Sequence, residues 1–155
     1  MNKLPKISVK VVGIVAVLVA ILGLIYNGMT LFSAQSGAFS DLIKQQNLSR
    51  FYQAFYAMSV ICIACYLLII ACGIALIQSR LNWSIILSGV LIFEVIYLLS
   101  IGLLWSRLDS SMSVAAATGV ANGGLMFQVF ILFPIWAPLI LKWAKKKIAQ
   151  ETPSN

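Results

Sequence analysis

Residues 11–32 read VVGIVAVLVAILGLIYNGMTLF, 22 consecutive positions without a charge. At 1.5 Å per residue, a helix of that length covers the roughly 30 Å hydrocarbon core of a bilayer. Three comparable apolar runs follow, at residues 55–77, 84–105 and 120–143, and they consume most of the 155-residue chain. Backbone groups in lipid find partners only within their own segment, so runs of this length are expected to be helices. A membrane β-barrel would instead show segments of about ten residues with alternating hydrophobicity, and the chain has none. Outward from the first run, the sequence predicts an all-α integral membrane protein, a four-transmembrane-helix antiparallel bundle. Residues 1–155 form a single membrane domain on this reading. Residues 33–54 and 106–119 are outer loops, and 144–155 is a frayed, solvated tail.

Composition agrees with that picture. Apolar residues make up 61% of the chain and charged ones 10%, against about 45–50% and about 25% in soluble domains. The net charge of +7 is a candidate signal for nucleic acid or lipid, but the positions of the cations explain it without either. Lys3, Lys6, Lys10, Arg80, Lys142, Lys145, Lys146 and Lys147 fall on one side of the predicted spans, and only Lys44, Arg50 and Arg107 on the other. The positive-inside rule then places both termini and the short 79–83 turn in the cytoplasm. Trp83, Trp105 and Trp143 fall at predicted interfaces, where indole rings are enriched. Nucleic acid is not expected as a partner. The bilayer is, together with other membrane subunits or further copies of this chain. Short loops and small size suggest the inner membrane of a bacterium. Asn47-Leu48-Ser49 matches a glycosylation sequon, meaningful only in a eukaryotic secretory setting.

Helices in lipid associate through small residues that allow close approach. Gly13, Ala16, Ala20, Gly23, Asn27 and Thr30 follow steps of three and four along the first run, the spacing of one helical face. Ala57, Ala64, Ala71 and Ala75 suggest a second seam. Gly119 and Gly123 make a GxxxG pair at the start of the fourth run, beside a stripe of Ala121, Gly124 and Gln128. Pro134 and Pro138 lie within that fourth run and are expected to bend it, since each removes a backbone donor and crowds the preceding turn.

Chemistry is sparse. The chain has no histidine and four acids, Asp41, Glu94, Asp109 and Glu151. A serine or cysteine nucleophile would therefore lack an imidazole base. No metal site and no cofactor are expected, and the protein is not expected to be an enzyme. Cys62-Ile63-Ala64-Cys65 has the CxxC spacing of membrane thiol oxidoreductases. It lies mid-span, however, and the third cysteine, Cys72, is in the same run, so no loop cysteine exists to relay a disulfide. These thiols read as small packing residues.

Glu94 is the informative residue. It stands in the middle of the third run, and insertion scales charge roughly 2.5 kcal/mol or more for an acid at that depth. No Lys or Arg lies in the apolar core of any run, so it is expected to be protonated at neutral pH unless water reaches it. Its expected companions at similar depth are Tyr66, Tyr97, Gln128 and Asn27, forming one buried polar cluster. The sequence thus favours a small non-enzymatic accessory or interaction subunit of a larger membrane assembly. An oligomeric proton- or cation-linked transporter using Glu94 is the alternative, and a thiol oxidoreductase through Cys62 and Cys65 the minor one.

Overall fold

A computed structural model describes residues 4–36, 49–108 and 125–151. They form four helices: α1 (Leu4–Gln35), α2 (Ser49–Ile77), α3 (Trp83–Leu108) and α4 (Leu125–Glu151). No strand occurs among the described residues. Each helix packs on two neighbours, α1 on α2 and α4, and α3 on α2 and α4. Going round the bundle, the helices therefore follow chain order. Among the described residues, Leu4–Met29 and Ser59–Ile77 are long and apolar enough to cross a bilayer, by length and composition. The apolar stretch of α3, Trp83–Tyr97, is shorter.

The tightest packing joins α1 to α2. A Cβ placed on Gly13 would lie 2.7 Å from the carbonyl oxygen of Gly73, and one on Gly73 would lie 2.7 Å from the carbonyl oxygen of Gly13. Two backbones can touch this way only where both residues lack a side chain. Further along, a Cβ on Gly23 would fall 2.5 Å from the ring of Tyr66. Early residues of α1 thus meet late residues of α2, which makes the pair antiparallel. The core between the helices includes Val12, Ala16, Ala20, Ile69, Leu76, Leu87, Leu91, Phe133 and Ala137. Phe133 and Trp136 pack edge-to-face within α4, with ring centroids 5.1 Å apart.

The α2–α3 connection is closed by a Schellman motif. The Arg80 amide donates to the Ala75 carbonyl at 2.9 Å, and the Ser79 amide to Leu76 at 2.8 Å. Ser79 takes the left-handed conformation the motif needs, φ 65°. The chain then re-enters a helix at once, with Trp83 and Ser84 amides donating to Arg80 and Leu81. The result is a tight hairpin.

Two expectations require correction. Ala57, Ala64 and Ala71 lie on the exposed side of α2, and of that stripe only Ala75 is buried. The inward face of α2 instead carries Ser59, Cys62, Tyr66, Ile69, Gly73 and Leu76. Nor is the C-terminal tail frayed from residue 144. Helix α4 continues to Glu151, and Ala144 is fully buried against the bundle. Its small side chain keeps the inward face of α4 in contact one turn beyond Leu141, and that packing outweighs the solvating pull of Lys145, Lys146 and Lys147. Pro134 and Pro138 both lie inside the helix. Gly119 and Gly123 lie outside the described residues, as do the side chains of Thr30, Trp105 and Gln128.

Candidate functional site

Polar side chains meet inside the bundle. Asn27 on α1, Ser59 on α2, and Glu94 and Tyr97 on α3 are each at most 3% exposed, and Tyr66 on α2 is 1% exposed. The hairpin sets the level of two of them. Tyr66 stands eleven residues before the end of α2 and Glu94 eleven residues after the start of α3. Antiparallel helices of equal rise therefore carry both to the same depth, about 16 Å from the turn.

The outer part of the cluster is a closed hydrogen-bond chain. The Asn27 Nδ2 donates to the Gly23 carbonyl, one turn back, at 3.0 Å. That leaves Asn27 Oδ1 facing the bundle, where it accepts from the Tyr97 hydroxyl. With the Tyr97 proton committed to Asn27, Ser59 Oγ, 3.1 Å away, donates to Tyr97 Oη. Helices α1, α2 and α3 are joined through one phenol, which spans the interior between helices that are not flanking neighbours. Such a bond contributes on average about 0.6 kcal/mol between helices in lipid and about 1 kcal/mol in a soluble fold. The chain therefore specifies register more than it supplies stability.

The inner part is different. Glu94 is 1% exposed, yet neither carboxyl oxygen has a hydrogen-bond partner among the described residues. The Tyr66 hydroxyl is its polar neighbour, standing between the Glu94 carboxyl and the Cys62 thiol. That approach falls short of hydrogen-bond geometry at the carboxyl. No lysine or arginine is among the buried described residues.

Of the sequence-predicted companions, Tyr66 lies beside Glu94, while Asn27 and Tyr97 bond to each other and not to it. The Gln128 side chain lies outside the described residues. Ser59 is a member that sequence reasoning missed. Its signal was present: Ser59, Cys62, Tyr66, Ile69, Gly73 and Leu76 recur in steps of three and four, one face of a helix. The packing glycines and alanines Gly13, Ala16, Ala20 and Gly23 all sit on the buried face of α1. Cys62, Cys65 and Cys72 are free thiols, the first and last fully buried. Among the described residues, no three of His, Cys, Asp and Glu gather closely enough to hold a metal ion.

No protein-family model matches the chain, and neither a curated protein nor a solved structure matches it.

Proposed function

We propose that the chain is a four-span protein of a bacterial inner membrane, with both termini cytoplasmic, acting as a non-enzymatic accessory subunit of a larger membrane assembly. The observation that carries this is the outer surface of the helices. On α1, Leu4, Ile7, Val11, Ile14, Leu18, Ile21 and Ile25 are all between 43% and 58% exposed, a stripe at helical spacing along most of its length. Ile85, Ile92, Ile96 and Leu99 continue the pattern on α3, and Leu132, Ile135 and Leu139 on α4. Soluble monomers rarely expose apolar patches beyond a few hundred Å². The core helix of a soluble protein would be mostly buried, whereas 39% of the apolar window of α1, and of α2, is buried here. Lipid or other apolar helices are the partners such a surface suits.

The test has two halves. With Cys62, Cys65 and Cys72 replaced by Ala, single cysteines at Lys44→Cys and Asp109→Cys should react with an impermeant reagent from outside. Leu81→Cys and Gln150→Cys should react only after permeabilisation. The reversed pattern, or release of the protein by an alkaline wash, would overturn the topology. Affinity purification in mild detergent should then bring down a stoichiometric membrane partner.

A second reading has one observation in its favour, the buried Glu94 carboxyl with no hydrogen-bond partner among the described residues. Buried intramembrane acids mark proton and ion pathways. On this reading, Glu94 exchanges a proton or meets a cation that enters the bundle interior. Flux into proteoliposomes that vanishes in Glu94→Gln would favour it over the accessory role.

A further inference from the structure

A cavity of about 260 Å³ opens between the first two turns of α3 and the 138–145 stretch of α4. Ser84, Ile85 and Ser88 line it from α3, and Pro138, Leu141, Lys142 and Lys145 from α4. We propose that this groove binds a phosphate oxyanion, held by the Lys142 and Lys145 ammonium groups. In the four-span reading, on which the choice of donor rests, the phosphate is the headgroup of an anionic lipid in the cytoplasmic leaflet.

Four features of the groove converge on that chemistry. Lys142 and Lys145 occupy the same face of α4 as Pro138 and Leu141, the steps of three and four that turn toward α3. Both lysine side chains line the cavity and are solvent-exposed. Among the described residues, no carboxylate lines it. The described acid on α3, Glu94, lies ten residues past Ser84, about 15 Å along the helix, and among the described residues the two cations have no neutralising partner in the groove. Across from them, the Ser84 and Ser88 hydroxyls stand one turn apart in the first turns of α3, the end whose macrodipole favours an anion. Ser88 Oγ donates to the Ser84 carbonyl at 2.9 Å, and by rotation that proton can turn to a phosphate oxygen instead.

The volume also fits. A water takes about 30 Å³ of the liquid, so the cavity has room for a phosphate with part of its hydration. Its remaining walls are Ile85, Pro138 and Leu141, and Ile85 is 69% exposed on the outer side. A free phosphate has no use for an apolar wall. An acyl chain leaving the headgroup does, and basic pockets between helices at the cytoplasmic side are where anionic headgroups bind.

The experiment uses the full chain in neutral detergent, with phosphatidylglycerol as probe and retained lipid per chain read by native mass spectrometry. Lys142→Ala/Lys145→Ala should weaken retention about 30-fold, the equivalent of about 1 kcal/mol per lysine. Lys146→Ala/Lys147→Ala removes the same charge from the same helix outside the groove and should change it less than about 3-fold. Lys142→Arg/Lys145→Arg should retain the lipid, and unchanged helical circular dichroism checks the fold of every variant. Inorganic phosphate, titrated alone and as competitor, separates the two donors. Lysine-dependent phosphate binding that displaces the lipid assigns a free anion to the groove. Lipid retained against excess phosphate assigns the headgroup. Equal losses in the two Ala pairs would mean a diffuse attraction of the basic helix end, and that outcome, or no loss in either, overturns the site. Failure of the four-span reading is seen separately, in the alkaline wash, and leaves the phosphate titration readable.

Discussion

Gly13→Ala is the sharpest perturbation of this fold. The added Cβ would sit 2.7 Å from the Gly73 carbonyl oxygen and 3.1 Å from the Ile77 amide nitrogen. A relaxed carbon–oxygen contact between close helices is about 3.3–3.6 Å, so α1 and α2 must separate by roughly 0.6 Å or more at their tightest point. Neither contact is the end of a flexible side chain. A gap of about 0.5–1 Å forfeits a quarter to a half of the dispersion between the atoms that were touching, and overpacking of this kind costs about 1–3 kcal/mol. The substitution also gains up to about 1 kcal/mol of helix propensity, which blurs a single measurement. Gly28→Ala removes the ambiguity. Gly28 is exposed on the same helix, with nothing within 4 Å of its Cβ position, and it makes the same propensity gain without the clash. The difference between the two variants isolates the close approach, and Gly13→Ala should be the less stable by about 1–3 kcal/mol. Unfolding by sodium dodecyl sulfate in mixed micelles, followed by circular dichroism and tryptophan fluorescence, gives both midpoints. Adding Gly73→Ala to Gly13→Ala should cost less than the two single losses combined, because helices already separated admit the second methyl. Equal midpoints for Gly13→Ala and Gly28→Ala would refute the backbone contact.

Other perturbations test other parts of the molecule. Tyr97→Phe removes the hydroxyl shared by Asn27 and Ser59 and should destabilise the bundle by about 1–2 kcal/mol in the same assay; an unchanged midpoint would mean the chain of bonds does not hold the helices. Ser79→Gly relieves a left-handed serine at the end of α2 and should stabilise by up to about 1 kcal/mol, whereas a loss would contradict the Schellman geometry. Replacing Cys62, Cys65 and Cys72 together by Ala should leave topology intact at a modest packing cost, and a mixed disulfide trapped through Cys62 would revive the oxidoreductase reading. Glu94→Gln keeps the size and hydrogen-bonding capacity of the side chain and should be nearly silent in the unfolding assay, while Glu94→Leu reports the packing. Lost flux in a folded Gln variant would move Glu94 from architecture to ion coupling.

The inward face of α1 is legible in the sequence because its small residues recur at the helical period, and Gly13, Ala16, Ala20 and Gly23 are all buried. The inward face of α2 is not legible by the same rule. Its alanines recur every seven residues, which looks like a seam, but Ala57, Ala64 and Ala71 face outward. The buried positions there run from serine through cysteine and glycine to tyrosine. No scan for small residues selects Tyr66, whose ring is among the largest fully buried side chains. What admits it is Gly23 on the facing helix, where even one added carbon would fall 2.5 Å from the ring. Size complementarity belongs to a pair of positions far apart in the chain, and one helix read alone carries half of it.

That pairing also explains why a polar cluster can exist inside so apolar a chain. At Gly13 and Gly73 the backbones of α1 and α2 touch, while at Gly23 a tyrosine ring stands between them. Away from the hairpin end the interior then carries side chains with oxygen: Tyr66 first, then Tyr97 bonded to Asn27 and Ser59. Glu94 lies level with Tyr66 and short of the Asn27–Tyr97–Ser59 chain. A glutamate one turn further out would stand level with that chain and its donors, and its carboxyl would be a structural group like the rest. Glu94 stands instead where the bundle buries it fully and the described residues leave its oxygens without a hydrogen bond, so an account of this protein as a mere packing unit has to explain that residue first.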